Sequence, residues 1–325
     1  MKSRRTVMAI LLLVMGLLAL ISLSAGKVWV PLAQWFRPDD PLSAIVLDLR
    51  LPRTLLAMTV GASLGMSGAA LQGYTRNPLA DPGVLGVSSM AALGAVLTLY
   101  LGISLQAIWV LPAAAMVAAI LGVALLLGLA GSTSSVVTFI LAGVILNSVA
   151  GAGVAVALSL APNPWAVGEI INWMMGSLAD RSLSDLQMAL PFILAGCGLV
   201  LTTGRALDAL SLGETGARSL GINMAATRWC LALGVGLATG AGVAVTGVIG
   251  FVGLVTPHLL RPLIGARPAG LLMPSAIGGA VIVLAADILV RLIPSVAEVK
   301  LGVAMAALGG PFFLALLLSL RRRVA

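Results

Sequence analysis

Residues 108–130 read IWVLPAAAMVAAILGVALLLGLA, and after the break GSTSS at 131–135 a second run, VVTFILAGVILNSVAGAGVAVALSL, fills 136–160. Neither run contains a charged side chain. A helix of roughly 20 apolar residues matches the hydrocarbon thickness of a bilayer. Only helices and closed barrels satisfy their backbone groups in lipid, and neither run alternates apolar with polar residues as a barrel strand does. Both runs therefore read as membrane-spanning helices.

The same reading divides the rest of the chain. Spans are expected near 7–25, 54–72, 86–102, 188–204, 228–248, 249–263, 272–292 and 304–320, which with the first two makes ten. The eighth, 249–263, is short and holds Pro257 and Pro262, so a broken or partly re-entrant helix is expected there. Composition agrees: 60% of the 325 residues are hydrophobic, 9% are charged and the mean hydropathy is +1.13, whereas charged residues make up about a quarter of a soluble domain. The fold class is all-α and polytopic. The basic start at Lys2, Arg4 and Arg5 followed by an apolar run resembles a signal peptide, but that run exceeds a signal core of roughly 7 to 15 residues and further spans follow, so it reads as a retained first helix.

Basic residues set the orientation. Lys2, Arg4, Arg5, Arg76, Arg205, Arg218, Arg228, Arg261, Arg267, Arg321, Arg322 and Arg323 fall on one side; Lys27, Arg37, Arg50, Arg53, Arg181, Arg291 and Lys300 fall on the other. Twelve against seven makes the first side cytoplasmic, with both termini inside. Trp29, Trp35, Trp109, Trp165 and Trp173 lie near the opposite boundaries, as an interfacial belt does.

Several functions are excluded. The formal charge of +8 is scattered over loops rather than gathered on one aromatic-studded face, so nucleic acid is not a partner. No G-x-x-x-x-G-K-[ST] occurs, so the chain is no ATPase and any hydrolysis belongs to another subunit. His258 is the only histidine, and Cys197 and Cys230 sit in apolar runs; no metal site or cofactor is expected. Gly61, Gly65 and Gly68, and Gly234, Gly236, Gly240 and Gly242, are spaced for close helix packing rather than for holding phosphate.

Two features ask for partners. The outer side is richer in arginine than orientation needs, and Arg50, Arg53 and Arg291 carry the excess. They read as a docking surface for an acidic soluble protein, against interfacial snorkelling as the alternative, with Asp287 four residues before Arg291 able to neutralise part of the charge. Pro52 is expected to disfavour helix at Leu51 and to present Arg50 and Arg53 on a turn. The inner loop 205–228 mixes Asp208, Glu214, Arg218 and Arg228 with leucines, which suits a short helical pair projecting into a cytoplasmic partner.

Leu49-Arg50-Leu51-Pro52-Arg53, Asn77-Pro78-Leu79-Ala80-Asp81-Pro82-Gly83, Leu212-Gly213-Glu214 with Ala217-Arg218 and Leu220-Gly221, Ile249-Gly250-Phe251-Val252-Gly253, and Leu308-Gly309-Gly310-Pro311 follow one another in the order seen in the FecCD-type permeases. The chain resembles this family from about residue 45 to its end. These permeases are the membrane subunits of ABC importers for iron-siderophore complexes, haem and cobalamin.

The resemblance implies a type II ABC importer permease, residues 1–325 forming one transmembrane domain in the bacterial inner membrane. It implies a second permease subunit, as a homodimer or a pair of similar subunits, two cytoplasmic ATP-binding subunits, and a periplasmic or lipid-anchored substrate-binding protein. On the same basis Arg50, Arg53 and Arg291 receive the binding protein. Leu212, Gly213, Glu214, Ala217, Arg218, Leu220 and Gly221 couple to the ATPase. Asn77, Leu79, Ser134 and Ser135 narrow the cytoplasmic gate, although 132–135 lacks the arginine that relatives often carry there. Gly309-Gly310-Pro311 stands where relatives read Gly-Ala-Pro. The alternative is an ion-coupled secondary transporter, which would bury ionisable groups in mid-membrane, whereas the 11 acidic residues fall in loops or near span ends. The chelate itself is not legible.

Overall fold

The computed structural model describes residues 4–35, 40–131, 135–294 and 297–324; Lys2, Arg37 and Ser134 lie outside the described residues. Within them every regular element is helical. The chain opens with α1 (Arg4–Ser24), then α2 (Pro41–Ala44) and a wide π turn at Ile45–Arg50 run unbroken into α3 (Leu51–Thr75). α4 (Val87–Tyr100), α5 (Val110–Ala130), α6 (Val136–Ser159), α7 (Pro164–Met174) and α8 (Leu183–Thr202) follow. After two short helices, α9 (Gly204–Leu210) and α10 (Gly213–Ser219), come α11 (Met224–Thr246), α12 (Val252–Ile264), α13 (Pro268–Leu292) and α14 (Leu301–Val324).

Seven of these stretches, α1, α2–α3, α5, α6, α8, α11 and α13, are long and apolar enough to cross a bilayer. The shorter apolar helices α4 and α12 and the apolar part of α14 stand where the other three spans were expected.

Two local expectations are corrected and one helix is added. Pro257 and Pro262 do not break α12, which is continuous across both; the chain breaks before it, where 247–250 are non-helical and Phe251 is left-handed at φ 67°. Thirteen helical residues rise only about 20 Å against a core of roughly 30 Å, so α12 alone is too short for a full crossing. Leu51 is helical, not the corner of a turn: the wide π turn before Pro52 makes room for its ring and missing N–H. Arg50 and Arg53, three residues apart, therefore share a helix face. Finally, α7 was not foreseen, although Asn163 caps it and Pro164 opens it.

The centre is built on small residues. A Cβ on Gly61 would lie 2.4 Å from the Gly279 carbonyl oxygen, one on Gly65 2.1 Å from that of Ser275, and one on Gly68 1.9 Å from that of Gly253. α3 thus presses its backbone on α13 and α12, because dispersion contacts, not hydrophobic exclusion, hold helices together in lipid. Gly196 and Gly234 join α8 to α11 in the same way. The ring of Phe251 lies against Gly309, while Gly310 meets nothing within 4 Å, so the Gly-for-Ala departure there touches no neighbour. α6 stays at the edge: a third of its apolar window is buried, against 78% for α3 and α11.

Candidate functional site

At one end of the bundle Arg50, Arg53 and Arg291 come together on a cavity of about 200 Å³. All three are buried and turned inward. Arg50 donates to the carbonyls of Leu23 at 3.0 Å, Ser24 at 2.6 Å and Val28. Arg291 donates to the Ser22 carbonyl at 2.9 Å and its hydroxyl at 2.6 Å, and pairs with Asp287 at 3.0 Å. The last turn of α1 leaves carbonyls without helical partners, and cations belong at that negative end of a helix.

Arg53 lies between two carboxylates. It grips Asp287 at 2.8 and 2.9 Å on one side and Glu298 on the other. The arginine excess therefore binds α1, α3 and α13 to one another, and Asp287 does take part in neutralising Arg291 as its four-residue spacing suggests.

At the opposite end α9 and α10 form the expected helical pair. Gly213 (φ 90°) and Gly221 (φ 80°) bracket α10 in a backbone conformation that costs glycine nothing. Leu212 and Leu220, 70% and 63% exposed, stand out on either side, while Ala217 is buried. Arg218 pairs loosely with Glu214 at 3.7 Å. Glu214 does not point outward: its carboxylate accepts from the Val136 backbone N–H at 3.0 Å, at the first residue of α6. Ser135, next to it, caps the same helix by accepting from Thr138. Asp208 pairs with Arg267 at 2.7 Å and caps the start of α13 through Ala269 at 2.9 Å. The pair α9–α10 is thereby tied to the ends of α6 and α13.

Asn77 and Leu79 share a tight turn, the Asn77 side chain accepting from the Leu79 N–H at 2.9 Å. From there the chain folds back into the bundle, where Asp81 caps a short turn by accepting from Gly83 at 2.9 Å. A second cavity of about 450 Å³ opens beside it, lined by Asp81, Ser88, Ser89, Asn147, Gly151 and Phe251 among others. Ser89 and Asn147 hydrogen-bond across it between α4 and α6. Sequence reasoning missed these polar groups, as it missed Glu298, Ser22 and Arg181. Ser22, Ser88, Ser89 and Asn147 are polar residues inside apolar runs, and Arg181 and Glu298 are ordinary loop charges; neither kind signals a shared site until the helices are placed.

The sequence profile of the FecCD transport family matches residues 11–319, nearly the whole chain. The chain belongs to the FecCD transport family. It is 39% identical over 331 residues to the hemin transport system permease protein HmuU of Yersinia pestis, spanning 98% of this chain and 97% of that one. It is 39% identical over 312 residues to the vitamin B12 import system permease protein BtuC of Escherichia coli O9:H4 (strain HS), spanning 95% and 93%. A solved metal-chelate type ABC transporter in an inward-facing conformation superposes with a TM-score of 0.86 at 31% identity, covering 97% of this chain and 99% of that one.

This FecCD chain is thus an ABC importer permease, a transporter component rather than an enzyme, and a multi-pass membrane protein. Membership of the family implies an ATPase and a substrate-binding protein as partners.

Proposed function

We propose that this FecCD permease carries an iron(III)-siderophore or a related metal chelate, haem or cobalamin, across the inner membrane. Its full-length likeness to relatives named for hemin and vitamin B12 carries this reading. The cavity between α4 and α6 supports it: hydroxyls, an amide and glycine suit a cargo that arrives already chelated and needs no ligands from the protein. Two copies would meet along the sparsely covered α6. Both termini and the α9–α10 end face the cytoplasm on this reading, and the arginine end faces the periplasm, where the binding protein lands. Two ATP-binding subunits take the exposed Leu212 and Leu220, and Asn77, Leu79 and Ser135 border the gate. Ion coupling fits less well, since the deeply buried Asp287 is already occupied by two arginines that tie helices together.

The test is uptake of labelled haem, cobalamin and a ferric siderophore by proteoliposomes holding permease, ATPase and binding protein. Uptake of one cargo class should need ATP and survive a protonophore. Uptake without ATP that a protonophore abolishes would assign the protein to the ion-coupled carriers.

Glu214 supplies a second expectation. Its bond to Val136 joins the ATPase-facing helix to the start of α6, so Glu214→Lys should leave ATP hydrolysis running while uptake falls about tenfold or more, matching the roughly 1.5–3 kcal/mol of a hydrogen bond to a charged group. Equal losses of hydrolysis and uptake would show that Glu214 serves subunit attachment instead.

A further inference from the structure

We propose that Glu298 is a resident substitute for the docking partner's carboxylate, held by Arg53 until the substrate-binding protein displaces it, and that Arg181 is a fourth arginine of that receptor. The inference rests on the reading of the arginine end as the docking face.

The cavity at that end is lined by Lys27, Arg50, Arg53, Arg181 and Arg291, with Asp180 and Glu298 as the carboxylates in its wall. Cations outnumber acids there, and such a cavity is selective for an anionic side chain. The two acids on Arg53 are not equivalent. The Asp287 side chain is 0% exposed and shared with Arg291, whereas the Glu298 side chain is 30% exposed and sits on the connection between α13 and α14. Only Glu298 can leave without stranding a charge inside the bundle. An incoming carboxylate that took its place would keep both hydrogen-bonding edges of Arg53 filled.

Arg181 points to the same ligand independently. Its Nε is buried without a hydrogen-bond partner among the described residues, and such donors are ordinarily satisfied. It lines the same cavity as Arg53 and Glu298. A carboxylate entering beside Arg53 would give that donor the acceptor it lacks. The receptor is then a pocket in which a glutamate or aspartate of the binding protein is swallowed, rather than a flat basic surface.

The experiment measures affinity of the substrate-binding protein for the permease–ATPase complex in nanodiscs at low and high ionic strength. Relieved of its internal competitor, Glu298→Gln should bind about three- to tenfold tighter, and Arg181→Gln about three- to tenfold weaker with an unchanged melting temperature. Should Glu298→Gln lower the melting temperature, Glu298→Asp replaces it: the charge stays but is drawn back by one methylene, and the same gain is expected. No gain in either variant overturns the exchange, and unchanged affinity in Arg181→Gln removes Arg181 from the receptor. Wild-type affinity should fall as salt rises. Indifference to salt would sink the docking reading itself, a failure distinct from salt-sensitive docking that Glu298→Gln leaves untouched.

Discussion

Asp287→Asn should destabilise the purified permease by about 3–5 kcal/mol, the cost of removing one partner from a buried charge cluster. Asp287 is fully buried and holds Arg53 and Arg291 at once. Its loss leaves Arg53 with Glu298 alone and Arg291 with only neutral acceptors at the end of α1. Distance does not decide the outcome. Arg267 and Asp208 lie as close, at 2.7 Å, but the Arg267 side chain is 79% exposed, so Arg267→Gln should cost about 1 kcal/mol or less. Denaturant titration of both variants in detergent makes the comparison. Equal losses would show that burial adds nothing at the cluster. The inward geometry also explains why reversing Arg50 and Arg53 to Glu is a poor probe of docking: a failure to bind would follow from a failure to fold.

The second large effect belongs to the helix crossing. Gly65→Ala and Gly68→Ala should each cost more than about 3 kcal/mol and lower the yield of monodisperse protein, because the new methyl meets a backbone carbonyl at 2.1 and 1.9 Å. Overpacking usually costs about 1–3 kcal/mol when side chains can give way. Here two helices must part instead, α3 from α13 at Gly65 and α3 from α12 at Gly68, and the contacts along each pair suffer with them. Gly16→Ala and Gly128→Ala are the controls: nothing lies within 4 Å of either, and alanine improves helix propensity by up to about 1 kcal/mol. Thermal unfolding of the four variants should separate into two groups. If Gly68→Ala behaves like Gly16→Ala, α3 is not held by backbone contact.

The apolar runs at 108–130 and 136–160 announced their helices because lipid demands length and leaves little else to read. The Gly61, Gly65 and Gly68 spacing announced contact, but not that Gly279, Ser275 and Gly253 would be the surfaces met, since the partner face lies some two hundred residues on. The arginines at 50, 53 and 291 stood out against the charge bias, yet their direction did not. Whether a guanidinium faces water or a neighbouring helix end depends on where that end lies, and α1 carries no residue type that marks its carbonyls as acceptors. The break before α12 was misplaced for a related reason. Prolines inside a helix are visible in a sequence, whereas nothing local marks Phe251 as left-handed or Gly309 as the surface its ring lies against. Glu214 read as an outward charge because, although the run beginning at 136 marked the start of α6, nothing in the sequence places that start beside residue 214. Asn147 and Ser89 were silent until two helices faced each other across a cavity.

The bonds that Arg291 makes to Ser22 span 269 residues. The first helix therefore enters the membrane long before the group that finishes its end has been synthesised. Through most of translation the carbonyls at 22–25 depend on water or on Arg50, and Arg53 waits in the bilayer for Asp287. The last third of the polypeptide closes what the first third leaves open, so a nascent chain stopped ahead of α13 exposes an uncompensated guanidinium near the membrane. A cell that degrades chains with unpaired charge in lipid would thereby remove incomplete copies and spare the finished one.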